Sequence, residues 1–305
     1  REHYSGKSVS QHVIDRDKPY LPQMRANMVR VKPTHVVLDV RTPGQTWGSS
    51  VVQAYLTALH LIMRGVTPVV VLTDAFYRRQ RWHAAVLTAF DGVVVTFASA
   101  NIVKRIFPHR RVIGPLPMPI SQARLAWLER ERSSRLDPPE PRVQFIGSVY
   151  PPRDRFLDEV GNQLAERGIT LHVNRDKRAT SNETYWRTLV EADVVLTTTL
   201  QGASRSYMDW VWIQQAVFRY AESTAAGAAL VAGRVDGGFP AFVEGEDFLG
   251  FQSVSEAVES IAMLCSDSST RLRIASQGHS TSRALATQQA FWLAIDQSLS
   301  ESAGL

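Results

Sequence analysis

The chain has 305 residues, 44% apolar and 21% charged, which is the balance of a folded globular protein with room for one large domain or two ordinary ones. No run approaches the roughly 18 apolar residues that cross a bilayer, and the first residues carry no apolar signal segment. The single cysteine, Cys265, excludes an internal disulfide and a cysteine-built zinc site, and the net charge of +5 is unevenly spread, with 20 Lys/Arg against 10 Asp/Glu in residues 1–140 and a mildly acidic remainder. The expected location is the cytoplasm. The basic half suits an anionic acceptor, a nucleic acid or a membrane surface, and equally a solvated basic face with no partner.

In chain order, His35–Val40 reads as a buried strand and Val51–Arg64 as a helix that Gly65 stops. Thr67–Thr73 is the next strand, Ala75–Phe90 a helix and Gly92–Phe97 a third strand. A short helix, Ala100–Phe107, leads to a fourth strand at Arg111–Gly114. Ser121 then caps a charged helix that runs to about Arg135. Residues 1–30 supply no convincing buried strand, so this first series is short at its N-terminus.

Asp137-Pro138-Pro139-Glu140-Pro141 cannot continue a helix, and the domain boundary is expected here, between domains at 1–136 and 142–305. The pattern restarts with strands at Val143–Ile146, Thr170–Val173, Asp193–Thr199, Ala229–Ala232 and Phe248–Phe251. Between and after them fall helices at Pro152–Arg167, Asn182–Glu191, Met208–Ala225, Ser253–Leu264, Ser269–Gln277 and Ser282–Leu299. Short strands alternating with helices mean parallel βαβ units. The expected class is therefore α/β, with two Rossmann-like domains facing across a cleft and the last helix free to cross back to the first.

In open parallel sheets, ligands bind beyond the carboxyl ends of the strands. Gly147 ends the first strand of the second series and lets a backbone approach a ligand closely, and Arg153 opens the next helix, where its guanidinium can fork onto phosphate oxygens. An ordinary turn with a surface Arg is the plain alternative. Arg219 and Glu222 are three apart and share a helix face, either as a surface ion pair or as a cation and a hydrogen-bonding carboxylate set in the small apolar wall of Tyr220, Ala221, Ala225 and Ala226. Gly227 at the end of that helix admits close packing. Asp74 ends a strand of the first series, as a general base or as the cap of the following helix. There is no GxGxxG, no GxxxxGK[ST], no GxSxG, and no His/Asp/Glu set with metal spacing.

The runs Phe145-Ile146-Gly147-Ser148, Glu191-Ala192-Asp193-Val194-Val195-Leu196, Arg219-Tyr220-Ala221-Glu222 with Ala226-Gly227, and Val243-Glu244-Gly245-Glu246-Asp247-Phe248 resemble GT-B glycosyltransferases. Among these they resemble most the group related to the spore-maturation protein CgeB and the family 4-type enzymes. The likeness covers the second half well and the first half loosely, through Pro68–Asp74, Phe90–Val95 and Gly114–Ile120. It implies a donor site in the second domain, with Glu222 holding the donor ribose, Arg153 and Arg219 near the diphosphate, Gly147 lining the cleft and Gly227 counted among the donor-binding residues, and an acceptor site in the first domain. It also implies a UDP- or GDP-linked sugar as co-substrate and no required metal or other cofactor. Many such enzymes have a second Glu eight residues upstream of the ribose carboxylate, where this chain has Gln214.

The resulting expectation is a metal-independent glycosyltransferase that moves a sugar from a nucleotide-diphosphate sugar to a hydroxyl acceptor. Asp74 is its base if configuration inverts. The rival expectation is a nucleic-acid-binding protein that uses the basic first half, or a hybrid whose acceptor is modified DNA or another polyanion.

Overall fold

A computed structural model describes residues 2–4, 7–9, 22, 25–26, 29–30, 32–39, 47–72, 88–95, 111–135, 140–147, 149, 153–173, 182–198, 218–235 and 241–301. The chain divides into two compact units. The first takes Arg1–Thr96, Ala100–Leu116 and Trp292–Leu305, and the second takes Phe97–Ser99 and Pro117–Phe291.

The first unit begins with a hairpin of β1 (Glu2–Tyr4) and β2 (Lys7–Val9), paired antiparallel. Its main sheet is parallel and runs β3 (His35–Asp39), β4 (Thr67–Leu72), β5 (Gly92–Val95), β6 (Arg111–Ile113) in spatial order. Helix α1 (Trp47–Ile62) crosses from β3 to β4 and begins four residues before the expected Val51. Val69, Val70, Val93 and Val94 are almost fully buried, as a strand covered on both faces requires. His60 of α1 is buried and accepts from Arg25 Nε at 3.4 Å. Burial, then the charges of Arg25 and Arg64, hold its pKa below the ordinary value.

The second unit opens with α2 (Gln122–Ser134), whose Arg124 amide donates to the Ser121 hydroxyl as the sequence reading expects. Its five-stranded parallel sheet contains β7 (Val143–Phe145), β8 (Leu171–Val173), β9 (Val194–Thr197), β10 (Ala229–Gly233) and β11 (Leu249–Phe251) in the order β8-β7-β9-β10-β11. The helices are α3 (Arg153–Ala165), α4 (Asn182–Glu191), α5 (Arg219–Ala225), α6 (Val254–Ser266) and α7 (Ser268–Leu285), and the last helix, α8 (Gln288–Ser300), begins in this unit and is counted with the first from Trp292 onward.

Strand alternation sorts this core onto two faces. Val143, Phe145, Val194, Leu196, Ala229 and Val231 face α3, α6 and α7, while Ile146, Val195, Leu230 and Ala232 face α2, α4 and α5. Each large side chain fully buried here stabilises the fold by about 1.5–3 kcal/mol, whereas exposed ion pairs such as Arg167–Glu259 are screened by water and add little. The core therefore holds the fold.

Two differences from the sequence reading have physical causes. The division between units falls at Leu116/Pro117, ahead of the Pro-rich segment, because α2 packs Leu125 and Leu128 into the core of the second unit. Both ends of that segment are also tied to the start of β9. Arg135 donates to Asp193 Oδ1 at 2.8 Å and to the carbonyls of Val190 and Ala192, and the Arg142 amide donates to Asp193 Oδ2 at 2.8 Å. Helix α7, in turn, is one element of 18 residues that runs through the expected stop near Gln277. Gly278 is not a terminator. A Cβ there would lie 2.6 Å from the Asp247 carbonyl oxygen and 2.8 Å from Thr224 Cγ2, so glycine allows α7 to press against its neighbours.

Candidate functional site

The strand order of the second unit reverses between β7 and β9. From β7 the chain crosses to β8 on one side, then returns to β9 on the other. Helices leaving adjacent strands in opposite directions open a crevice at the carboxyl ends, where doubly wound sheets bind ligands. Here that edge is formed by Phe145 at the end of β7, by Ile146 and Gly147 after it, and by Thr198 after β9.

The elements around this edge bring several polar side chains to it. Helix α3 begins at Arg153, whose Nη2 donates to the Thr198 carbonyl at 3.5 Å and whose guanidinium lies 5.7 Å from the centre of the Phe145 ring. Helix α5 begins at Arg219. A Cβ on Gly147 would lie in ordinary contact with that guanidinium, 3.6 Å from its Cζ and Nε, and 3.3 Å from Phe145 Cζ, so Arg219 lies against the β7 turn. Two buried polar atoms at this edge, Arg219 Nε and Thr198 Oγ1, have no hydrogen-bond partner among the described residues. A buried donor left so costs about 1–3 kcal/mol, a cost that a ligand able to accept from it removes.

Glu222 lies one turn into α5, partly buried, and accepts a short hydrogen bond from the Tyr185 hydroxyl of α4. Burial pushes its carboxyl above the usual range, while the Tyr185 hydrogen bond and the Arg219 charge act the other way. The Tyr185 hydroxyl is itself pushed far up, by burial first and then by the Glu222 charge, so it stays an O–H donor. Arg219 sits 5.7 Å from the centre of the Tyr185 ring, a cation–π distance. The position of α5 is fixed from behind. The Tyr220 hydroxyl donates to the Gly233 carbonyl at 2.9 Å, its ring meets Phe248 edge-on at 5.0 Å, and Thr224 and Ser282 share a hydrogen bond of 2.5 Å.

The structure thus gathers Gly147, Arg153, Arg219 and Glu222 at one edge of one sheet. It does not bring Gly227 there. Gly227 follows α5 and precedes β10, at the opposite, amino edge. Its φ is +83°, and the space a Cβ would take holds the Arg132 guanidinium, 2.2 Å away. Gly227 is thus packed against Arg132, away from the donor-binding residues among which the sequence reading counts it. Asp74 and Gln214 lie outside the described residues. Sequence reasoning missed Tyr185, which nothing in its surroundings marks, and Thr198, which it read as part of the strand.

Chemically, the edge offers two guanidinium groups for an anion, a backbone that can be approached closely, and a carboxylate that can accept from hydroxyls. Among the described residues there is no group of three or more His, Cys, Asp or Glu that could hold a metal ion. No helix among them is long and apolar enough to cross a membrane.

Residues 126–292 match a protein-family model described as glycosyl transferase-like. No curated protein matches the chain in sequence. Among solved structures, the chain is similar to a sucrose-phosphate synthase from Thermosynechococcus elongatus, with a TM-score of 0.57 at 13% identity over 96% of this chain and 81% of that one. It is similar to HepE of Anabaena, solved with UDP and glucose, with a TM-score of 0.55 at 12% identity over 93% of this chain and 81% of that one. It is also similar to TarM, with a TM-score of 0.59 at 10% identity over 92% of this chain and 58% of that one. These likenesses show a shared fold, the α/β class of GT-B glycosyltransferases, with Rossmann-like units built on parallel sheets.

Proposed function

The chain belongs to the glycosyl transferase-like family, and from that premise we propose that it transfers a sugar from a nucleoside-diphosphate donor held at the carboxyl edge of the second unit. The observation that carries this reading is the convergence of Arg219, Arg153, Gly147 and Glu222 where the strand order reverses. Arg153 and Arg219 take the diphosphate, and Glu222 accepts from the ribose hydroxyls. HepE, which shares the fold, was solved with UDP and glucose, and this supports a UDP-linked sugar as the donor to test first, with GDP-linked sugars second.

In the reaction an acceptor hydroxyl oxygen bonds to the anomeric carbon of the sugar. The bond from that carbon to the β-phosphate oxygen breaks, and the nucleoside diphosphate leaves. Arg153 and Arg219 stabilise the charge that grows on the departing phosphate, and guanidinium groups do this without a metal. The acceptor proton goes to Asp74 if configuration inverts, and to the departing phosphate oxygen if it is retained. The cationic excess of residues 1–140 supports an anionic acceptor, with nucleic acid one such class. Within the family we read the chain as CgeB-like, of the family 4 type.

The test is a thermal shift of the protein with UDP, GDP and their glucose or mannose conjugates, followed by release of the nucleoside diphosphate. A shift with one base that Glu222→Ala abolishes is expected. No shift with any sugar nucleotide, together with a steep salt dependence of nucleic-acid binding, overturns the reading in favour of a plain nucleic-acid binder.

A further inference from the structure

We propose that Tyr185 is the positioning residue of this edge, its ring supporting the Arg219 guanidinium while its hydroxyl holds the Glu222 carboxylate, so that one side chain sets the grip on diphosphate relative to the grip on ribose. The inference rests on the donor-site reading above and assigns a residue that neither the family match nor the sequence singles out.

The geometry supports two separable contacts. The phenol ring lies 5.7 Å from Arg219 Cζ, and the phenol oxygen donates to Glu222 Oε2. Tyr185 is held firmly. It stands on the first turn of α4, and its ring meets the buried Trp186 edge-on at 5.5 Å. A Tyr has two side-chain torsions and a free Glu has three, so tying the carboxylate to the phenol removes rotamer freedom before any ligand arrives. The hydrogen bond occupies Oε2 and leaves the lone pairs of Oε1 for a ribose hydroxyl. Burial keeps the phenol protonated, so its role is constant across the neutral range.

Because ring and hydroxyl do different things, two substitutions separate them. Tyr185→Phe keeps the ring under Arg219 and frees the carboxylate, while Tyr185→Leu loses both. The experiment is isothermal titration of wild type and both variants with UDP and GDP, each paired with its 2′,3′-dideoxy form, alongside melting temperatures and donor kinetics. Wild type is expected to bind one ribonucleotide more tightly than its dideoxy form. Tyr185→Phe weakens that ribonucleotide by roughly three- to tenfold and leaves the dideoxy form unchanged. In kinetics it raises the donor KM and keeps kcat. Tyr185→Leu weakens both forms, the dideoxy one by about two- to fivefold.

Tyr185→Phe binding both forms as wild type does, or weakening both equally, overturns the assignment and leaves the donor site standing. Equal binding of both forms by wild type removes the ribose role of Glu222 and the Tyr185 role with it. If wild type binds no nucleotide at all, the donor-site reading itself falls.

Discussion

The two edges of the second unit's sheet are built from similar residues to opposite ends. The amino edge is closed. Asp193 takes two partners, Arg135 reaches two carbonyls as well as Asp193, the His279 ring bonds the Ala225 carbonyl at 3.0 Å, and Arg132 fills the space beside Gly227. The carboxyl edge is less complete, with Arg219 Nε and Thr198 Oγ1 buried and without partners among the described residues. A polar network satisfied throughout makes a sheet edge rigid, whereas one left incomplete gives up stability and gains an affinity for whatever completes it. The main sheet of the first unit differs: its four described strands follow one another in sequence order, with no reversal among them.

If the edges differ in this way, substitutions at one should change binding and at the other stability. The largest expected effect is at the carboxyl edge. Arg219→Ala should lower kcat/KM by about 10²- to 10³-fold, measured by nucleoside-diphosphate release, with the melting temperature nearly unchanged. A large loss of stability with unchanged donor affinity would erase the distinction.

Gly278→Ala comes next, near the amino edge. Replacing a mid-helix glycine by alanine ordinarily stabilises by about 1 kcal/mol. Here the new Cβ would meet a backbone oxygen at 2.6 Å, which cannot move as a flexible side chain can, and the sign should reverse. A loss of about 1–3 kcal/mol in urea unfolding is expected, with the nucleotide affinity of the folded protein kept.

Gly227→Ala should cost about 1–2 kcal/mol through its left-handed backbone, since the Arg132 guanidinium it meets is the mobile end of a side chain and can swing aside. Nucleotide titration of this variant should match wild type. A large loss of affinity would return Gly227 to the binding site.

The smallest effect is a dependence on pH. Burial raises the Glu222 pKa in the folded protein, so the native state holds that proton more tightly than the unfolded chain does. Stability from this group is complete below the unfolded pKa and is lost as pH rises through the folded one. Glu222→Gln should therefore melt slightly higher than wild type at about pH 7.5, with a smaller difference at about pH 4, and should lose ribose-dependent binding. Equal melting differences at both pH values would show that the carboxylate bears no cost of burial.

Much of this was legible in the sequence, for reasons that can be assigned. Buried parallel strands such as Val194–Thr197 and Ala229–Gly233 are continuous apolar runs, and capping residues such as Ser121 and Ser253 mark helix starts by local chemistry. Gly147 and Arg153 follow from knowing where strands end, and Arg219 and Glu222 from their shared helix face in a wall of small apolar residues. What escaped depends on distance in sequence. Gly227 stands five residues from Glu222, yet a helix rising about 1.5 Å per residue carries it to the other edge of the sheet. Tyr185 precedes Glu222 by 37 residues, and only the strand order brings α4 beside α5. Gly278 resembles a helix stop because the partners that require it, Asp247 and Thr224, belong to other elements.

The double tie on Asp193 bears on how the chain responds to cutting. Arg135 and the Arg142 amide flank the proline segment and hold the same carboxylate, so its two ends are pinned to one residue. Cleavage inside residues 136–141 would sever the covalent path there and leave α2 seated by Leu125 and Leu128. Limited proteolysis at this point should yield two fragments that migrate together until denaturant releases them.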